Sequence, residues 1–171
     1  MPATCLLYYV TDRAAFSGDE STRRRRLLGK IREAAGAGVD YIQLREKDLS
    51  SRELESLARE AVSAIRESSK REPETALLIN SRTDIALAVQ ADGVHLRSDD
   101  ISPQRVRGIW ECYKGRAGAL AREHSPQVLL IGVSCHSAIE VAQAAAAHAT
   151  FAVFAPVFEK KESHPAGLNL L

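Results

Sequence analysis

LLINSRTDIALAVQADGVHLRSDD, residues Leu77 to Asp100, contains two short apolar runs, and each stops at polar side chains. Ala76-Leu77-Leu78-Ile79 is an uninterrupted apolar run of strand length that meets Asn80-Ser81-Arg82, side chains that hydrogen-bond and carry charge. This reads as a buried parallel strand opening into a site. Thr83-Asp84 offers a cap for a short helix reaching Gln90, with Ile85, Leu87, Ala88 and Val89 as its apolar positions. Asp92-Gly93 turns the chain and Val94-His95-Leu96 forms the next strand. A charged loop, Arg97-Ser98-Asp99-Asp100, follows before Ser102-Pro103 opens another helix. The unit is β-α-β.

The same grammar extends in both directions. Upstream, Leu6–Val10 reads as a strand ending at Thr11-Asp12, and Leu27, Leu28, Ile31, Ala34 and Ala35 recur at helical spacing between Thr22 and Ala37, with Gly36 and Gly38 to stop the helix. Tyr41–Arg45 is a strand in which period-two geometry sends Gln43, Arg45 and Lys47 to one side and Ile42 and Leu44 to the other. A helix over Ser51–Ser68 opens with a capping box, Ser50 and Glu53, and carries an apolar stripe of Leu54, Leu57, Ala58, Ala61 and Ile65. Downstream, Pro103 to Leu120 gives a weak signal that dissolves into loop or frayed helix at Lys114-Gly115-Arg116. Val128–Val133 is a buried strand ending at Ser134-Cys135-His136-Ser137; Ser137 caps an Ala-rich helix to Ala147, and Thr150–Phe154 is a sixth strand.

Six strands alternating with five helices suit right-handed parallel crossovers, in either a barrel or an open doubly wound sheet. No GxGxxG follows any strand, and polar residues gather at strand C-termini; both features favour the barrel. The expected fold is therefore α/β, a TIM-type β/α barrel, in one domain over residues 1–171. A closed barrel has eight strands and about 250 residues, so this one is incomplete, with six of eight strands and its C-terminal βα units missing.

Composition narrows the function. The 171 residues are 45% hydrophobic and 26% charged, and 23 Lys and Arg against 22 Asp and Glu leave a net charge of +1. That gives no global field for nucleic acid or an anionic membrane, and the one dense basic run, Arg23 to Arg26, lacks interleaved aromatics and reads as a solvated helix start. No apolar run approaches the ~20 residues of a membrane span. Cys5, expected in a strand, with Cys112 and Cys135 makes an odd set without ligand spacing, which points to reduced thiols in the cytoplasm and away from zinc.

In a barrel the loops after the strands converge on one mouth. Here that brings Thr11, Asp12, Gln43, Arg45, Lys47, Asn80 to Arg82, His95, Asp99, Asp100, Ser134, His136, Lys160 and Lys161 into consideration. Arg45 and Lys47 beside two neutral amides are what a diphosphate requires, with a carboxylate left to hold a bridging Mg²⁺. The competing reading of Gln43, Arg45 and Lys47 is surface charge closing a strand. His95, between Val94 and Leu96, reads as a packed strand histidine, and His124, His148 and His164 as surface groups.

Taken together, Tyr9-Val10-Thr11-Asp12, Gly38 to Lys47, Asn80-Ser81-Arg82 with Asp84-Ile85-Ala86-Leu87-Ala88, Ala91 to Leu96, and Ile131-Gly132-Val133-Ser134 with His136 resemble the thiamine phosphate synthase and TenI (thiazole tautomerase) family, in the right order over nearly the whole chain. The resemblance implies a transferase of thiamine biosynthesis that condenses hydroxymethylpyrimidine diphosphate with thiazole phosphate and releases diphosphate. It implies diphosphate and substrate binding by Gln43, Arg45, Lys47, Asn80, Ser134 and Lys160, catalytic roles for Arg45, Lys47, Ser134 and His136, and Mg²⁺ on Asp100. It also allows a homo-oligomer.

Three departures qualify it. Ser81 stands where the family pattern has a second Mg²⁺ carboxylate, which weakens the metal site. The Thr-x-Thr-Lys segment after the sixth strand is Phe158-Glu159-Lys160-Lys161, and the glycine-rich loop that takes the thiazole phosphate falls in the missing part. Two alternatives therefore stand beside the synthase: a metal-independent thiazole tautomerase with His136 as its base, and a truncated, non-catalytic family member.

Overall fold

The computed structural model describes residues 5–68, 75–117 and 128–157. By internal contacts the chain divides into two compact units, Met1–Gly93 and Val94–Leu171.

In the first unit β1 (Tyr8–Val10), β2 (Tyr41–Leu44) and β3 (Ala76–Asn80) are parallel neighbours, with Tyr8 opposite Tyr41 and Tyr41 opposite Ala76. Helices α1 (Glu20–Gly36) and α2 (Ser51–Ser68) provide the crossovers, and α3 (Thr83–Ala88) follows β3. Most of the predicted core holds: Leu27, Leu28, Ile31 and Ala35 of α1 and Leu54, Leu57, Ala58, Ala61 and Ile65 of α2 are buried with Ile42, Leu44 and Leu77 to Ile79, whereas Ala34 is half-buried. The capping box also holds. The Glu53 carboxylate accepts from the Ser50 N–H at 2.9 Å, and the Ser50 hydroxyl accepts from the Glu53 N–H at 3.4 Å. Three of the four arginines in the basic run are engaged locally, Arg24 on Glu60 and Ser56, Arg23 on the Phe16 carbonyl and Arg26 on Ser17.

The second unit contains β4, which begins at the dividing residue (Gly93–Leu96), then α4 (Pro103–Ala117), β5 (Leu130–Cys135), α5 (Ala138–Ala146) and β6 (Phe151–Phe154). β5 and β6 are parallel, with Gly132 opposite Phe151. Ser137 caps α5 as expected, accepting from the Glu140 N–H.

Several expected boundaries move for physical reasons. Cys5, Leu6 and Leu7 precede β1 and are exposed. Thr83 does not cap α3. It is the first helical residue, its Oγ1 is buried without a hydrogen bond, and Arg82 at the cap position makes no side-chain capping hydrogen bond. Residues 114–117, expected as loop or frayed helix, continue α4, in which Val106 and Trp110 are buried while a Cβ on Gly108 or Gly115 would meet only open space. β5 starts two residues later than the apolar run because Val128 is 67% exposed.

One construction recurs three times. After α1, α3 and α5 the chain takes one residue with positive φ, Gly38 (83°), Gln90 (55°) and His148 (61°). The next N–H returns to the helix: Val39 to the Ala34 carbonyl, Ala91 to Ala86, Ala149 to Ala144. This is the Schellman turn. Two residues after each turn residue stands a polar side chain that clasps the preceding strand or its approach. The Asp40 carboxylate accepts from the Leu7 N–H at 2.7 Å, the Asp92 carboxylate from Leu77 at 2.7 Å, and the Thr150 hydroxyl from Ile131 at 2.9 Å. In each case the N–H of the clasping residue is donated back to that same residue's carbonyl. The next strand starts immediately afterwards.

Candidate active site

In the first unit the parallel register puts the C-terminal ends of β2 and β3 side by side, with Leu44 opposite Ile79 and Asn80 one residue further. Gln43 is buried and its Nε2 donates to Asn80 Oδ1 at 2.7 Å, so the two amides expected at the site are held together. Asn80 in turn donates to the Ser81 hydroxyl at 3.2 Å. Arg45 and Lys47 are exposed just past the end of β2. The strand stops at Leu44, so the period-two argument stops there too; Arg45 leaves through a backbone bond from its N–H to the Thr11 hydroxyl at 3.0 Å. Arg82 is paired with Asp84 at 2.6 Å, which raises the guanidinium pKa and lowers that of the carboxylate.

Thr11 and Asp12, expected at the mouth, are committed elsewhere. Asp12 accepts from the Ala14 N–H and opens a 3-10 turn over Arg13–Ala15. Thr11 is buried and donates to Glu46 at 2.6 Å. Sequence reasoning missed the centre of this cluster, buried Arg13 with Glu46, Asp48 and Glu20. The only available signal was Glu46 itself, a carboxylate between two cations.

In the second unit Ser134 accepts or donates a hydrogen bond at 2.9 Å with Nε2 of His95, which is 3% exposed. His95 is the packed strand histidine expected, its ring centroid 6.2 Å from that of Phe151. His136 is exposed directly after β5. Its N–H binds Glu140, and Nδ1 lies 2.5 Å from the Ala155 carbonyl. A carbonyl only accepts, so Nδ1 carries the proton and Nε2 of the neutral ring keeps the lone pair. Asp100 is half-buried, with one carboxylate oxygen on the Arg97 N–H at 2.8 Å and the other 3.5 Å from the Arg97 guanidinium. Asp100 and Ser134 line one cavity of about 230 Å³, together with Arg97, Glu140 and apolar Leu96 and Val133. Lys160 lies outside the described residues, as do Lys161, His124 and His164.

The donor set gives a limited answer for a metal. Among the described residues no three His, Cys, Asp or Glu side chains cluster as a cation site. Asp100 offers one carboxylate already shared with Arg97, and Ser81 offers a neutral hydroxyl. A single carboxylate fits Mg²⁺ only where substrate phosphates supply most of the ligands, a common arrangement for this ion.

Compared with known proteins, residues 7–115 match the family described as thiamine monophosphate synthase. The chain belongs to this family. The thiamine-phosphate synthase of Syntrophomonas wolfei is 36% identical over 169 residues, covering 96% of this chain and 68% of that enzyme. The one from Halalkalibacterium halodurans is 33% identical over 86% of this chain and 60% of its own length. Among solved structures, thiamine phosphate pyrophosphorylase from Pyrococcus furiosus superposes with a TM-score of 0.70 at 25% identity, over 96% of this chain and 66% of that one. The fold is thus α/β of the TIM-barrel type, as in this thiamine monophosphate synthase relative. The chain spans about three-fifths to two-thirds of the length of these family members.

Proposed function

We propose that the chain acts in thiamine biosynthesis as a thiamine phosphate synthase. The pyrimidine-methylene carbon–oxygen bond of hydroxymethylpyrimidine diphosphate breaks, diphosphate leaves with the bonding pair, and the nitrogen of thiazole phosphate forms the new bond to the methylene carbon. The observation that carries this reading is the hydrogen-bonded pair of buried Gln43 and half-buried Asn80 at neighbouring strand ends, with Arg45 and Lys47 exposed just past the end of β2. Charge developing on a leaving diphosphate is stabilised by cations and amides already in place. Arg45 and Lys47 take the anion; Gln43 and Asn80 fix its orientation. Ser134 and His136 are assigned to substrate binding and catalysis by the family resemblance. Asp100 would hold Mg²⁺, which when bound neutralises diphosphate oxygens; Lys160 is assigned to the same anion.

The names of the relatives favour this over the thiazole tautomerase and the non-catalytic member. A single relative matching 96% of the chain supports treating residues 1–171 as one family domain. Among the described residues no helix is long and apolar enough to cross a membrane, and the free thiols Cys5, Cys112 and Cys135 suit a reducing cytoplasm. Light scattering would read the homo-oligomer that the family resemblance allows.

The test is diphosphate release from the two substrates with and without Mg²⁺. Arg45→Ala is expected to lower the rate by about 100-fold. An unchanged rate would remove Arg45 from the site, and no release by the unaltered chain would remove the synthase reading.

A further inference from the structure

Arg45 and Lys47, the two cations assigned to the anion, flank a residue given no task so far. Glu46 is 6% exposed, whereas both neighbours are exposed. Its carboxylate accepts from the Thr11 hydroxyl at 2.6 Å, from the Arg13 N–H at 3.1 and 3.2 Å, and from Arg13 Nη1 at 3.2 Å. Arg13, itself 5% exposed, is held in turn by a two-pronged contact to Asp48 at 2.7 and 2.8 Å and by Glu20 at 2.7 Å. The Thr11 hydroxyl closes the circuit, donating to Glu46 and accepting from the Arg45 N–H at 3.0 Å. Strand pleating ends at Leu44, so nothing in the sheet ladder fixes the direction of the next three side chains. The buried carboxylate does.

We propose that Glu46 is a positioning residue for anion binding: anchored by Thr11 and Arg13, it pins the segment after β2 so that Arg45 and Lys47 both project outward. The inference rests on the anion-site reading above and adds a residue to it. Electrostatics alone predicts the opposite sign for its removal. Glu46 is a negative charge next to the cations that must meet diphosphate, and neutralising it would strengthen anion binding. Positioning predicts weaker binding, because misplaced cations lose the geometry of a multidentate oxyanion contact.

Glu46→Gln keeps the shape and removes the charge, and titration with inorganic pyrophosphate at fixed Mg²⁺ reads the outcome independently of turnover. We expect affinity to fall by about tenfold, with a smaller further loss when Glu46→Gln is added to Arg45→Ala, since the effect then passes through Lys47 alone. Equal or tighter binding by Glu46→Gln overturns the proposal, as does a full tenfold loss in the Arg45→Ala background. Should Glu46→Gln not fold, Thr11→Val cuts the same circuit with both charges in place, and undiminished pyrophosphate affinity there overturns the proposal equally. A chain that binds pyrophosphate in this Glu46-dependent way but forms no thiamine phosphate would defeat the synthase reading and leave the positioning role standing.

Discussion

Gly132 has no room for a side chain. A Cβ there would lie 2.6 Å from Phe151 Cζ and 2.8 Å from His95 Nδ1, closer than carbon and nitrogen atoms approach. His95 is buried, so its ring could yield only by giving up the bond to Ser134. Gly132→Ala is expected to cost about 1–3 kcal/mol in urea unfolding, the usual penalty of overpacking, and to reduce the proposed synthase turnover along with stability. Full turnover in that variant would mean that the His95–Ser134 contact is irrelevant to the site. At this scale the sequence was informative about groups that act alone and nearly silent about pairs. Asn80 was legible because it closes an apolar run, and Gln43 because period-two geometry separates it from Ile42 and Leu44. Arg13 and Glu46 were not, because their partnership spans 33 positions and buried charges carry no periodic signature.

The helix ends show where local rules suffice and where they fail. Gly38 could be read as a stop because glycine announces the left-handed conformation that a Schellman turn requires. Gln90 and His148 occupy the same place with φ of 55° and 61° and announce nothing. The turn is imposed there from downstream, by the clasps of Asp92 and Thr150 on the preceding strand. Both residues are exposed and their Cβ atoms bear the strain. Gln90→Gly and His148→Gly are therefore expected to be neutral to stabilising, by up to about 1 kcal/mol each, measured as a rise in the urea midpoint. A clear loss in both would show that these turns are unstrained. The misplaced cap at Thr83 has a related cause: the residue type is right for a cap, but the backbone enters α3 one position earlier, through Arg82.

At the scale of the whole molecule, near-neutral charge places the pH response in individual carboxylates. Asp48 is held below its ordinary value of 3.8 chiefly by the Arg13 hydrogen bond, and Asp84 likewise by Arg82. A carboxylate with a folded pKa below its unfolded one binds fewer protons when folded, so its contribution is present above about pH 4 and disappears as the pH falls through the folded value. Unfolding midpoints should therefore drop below about pH 4, and less steeply in Asp48→Asn; identical acid limbs in the two proteins would exclude Asp48 as a contributor. The overall architecture was the most legible feature of all, because alternating apolar strands and amphipathic helices repeat the same message six times. The element boundaries were less so, since exposure at Leu6, Leu7 and Val128 is decided by neighbours that sequence periodicity does not name.

The three clasps have a consequence for how this scaffold can change over generations. Each grips the incoming end of its strands, while the groups assigned to chemistry stand at the outgoing ends, so the requirements for folding and for reactivity fall on different residues of one βα unit. A lineage could rewrite Ser81 or Asn80, and with them the ligand accepted, without touching the fastenings at Asp40, Asp92 or Thr150. Diversification of such a scaffold is expected to run through its outgoing loops, above foundations that stay put.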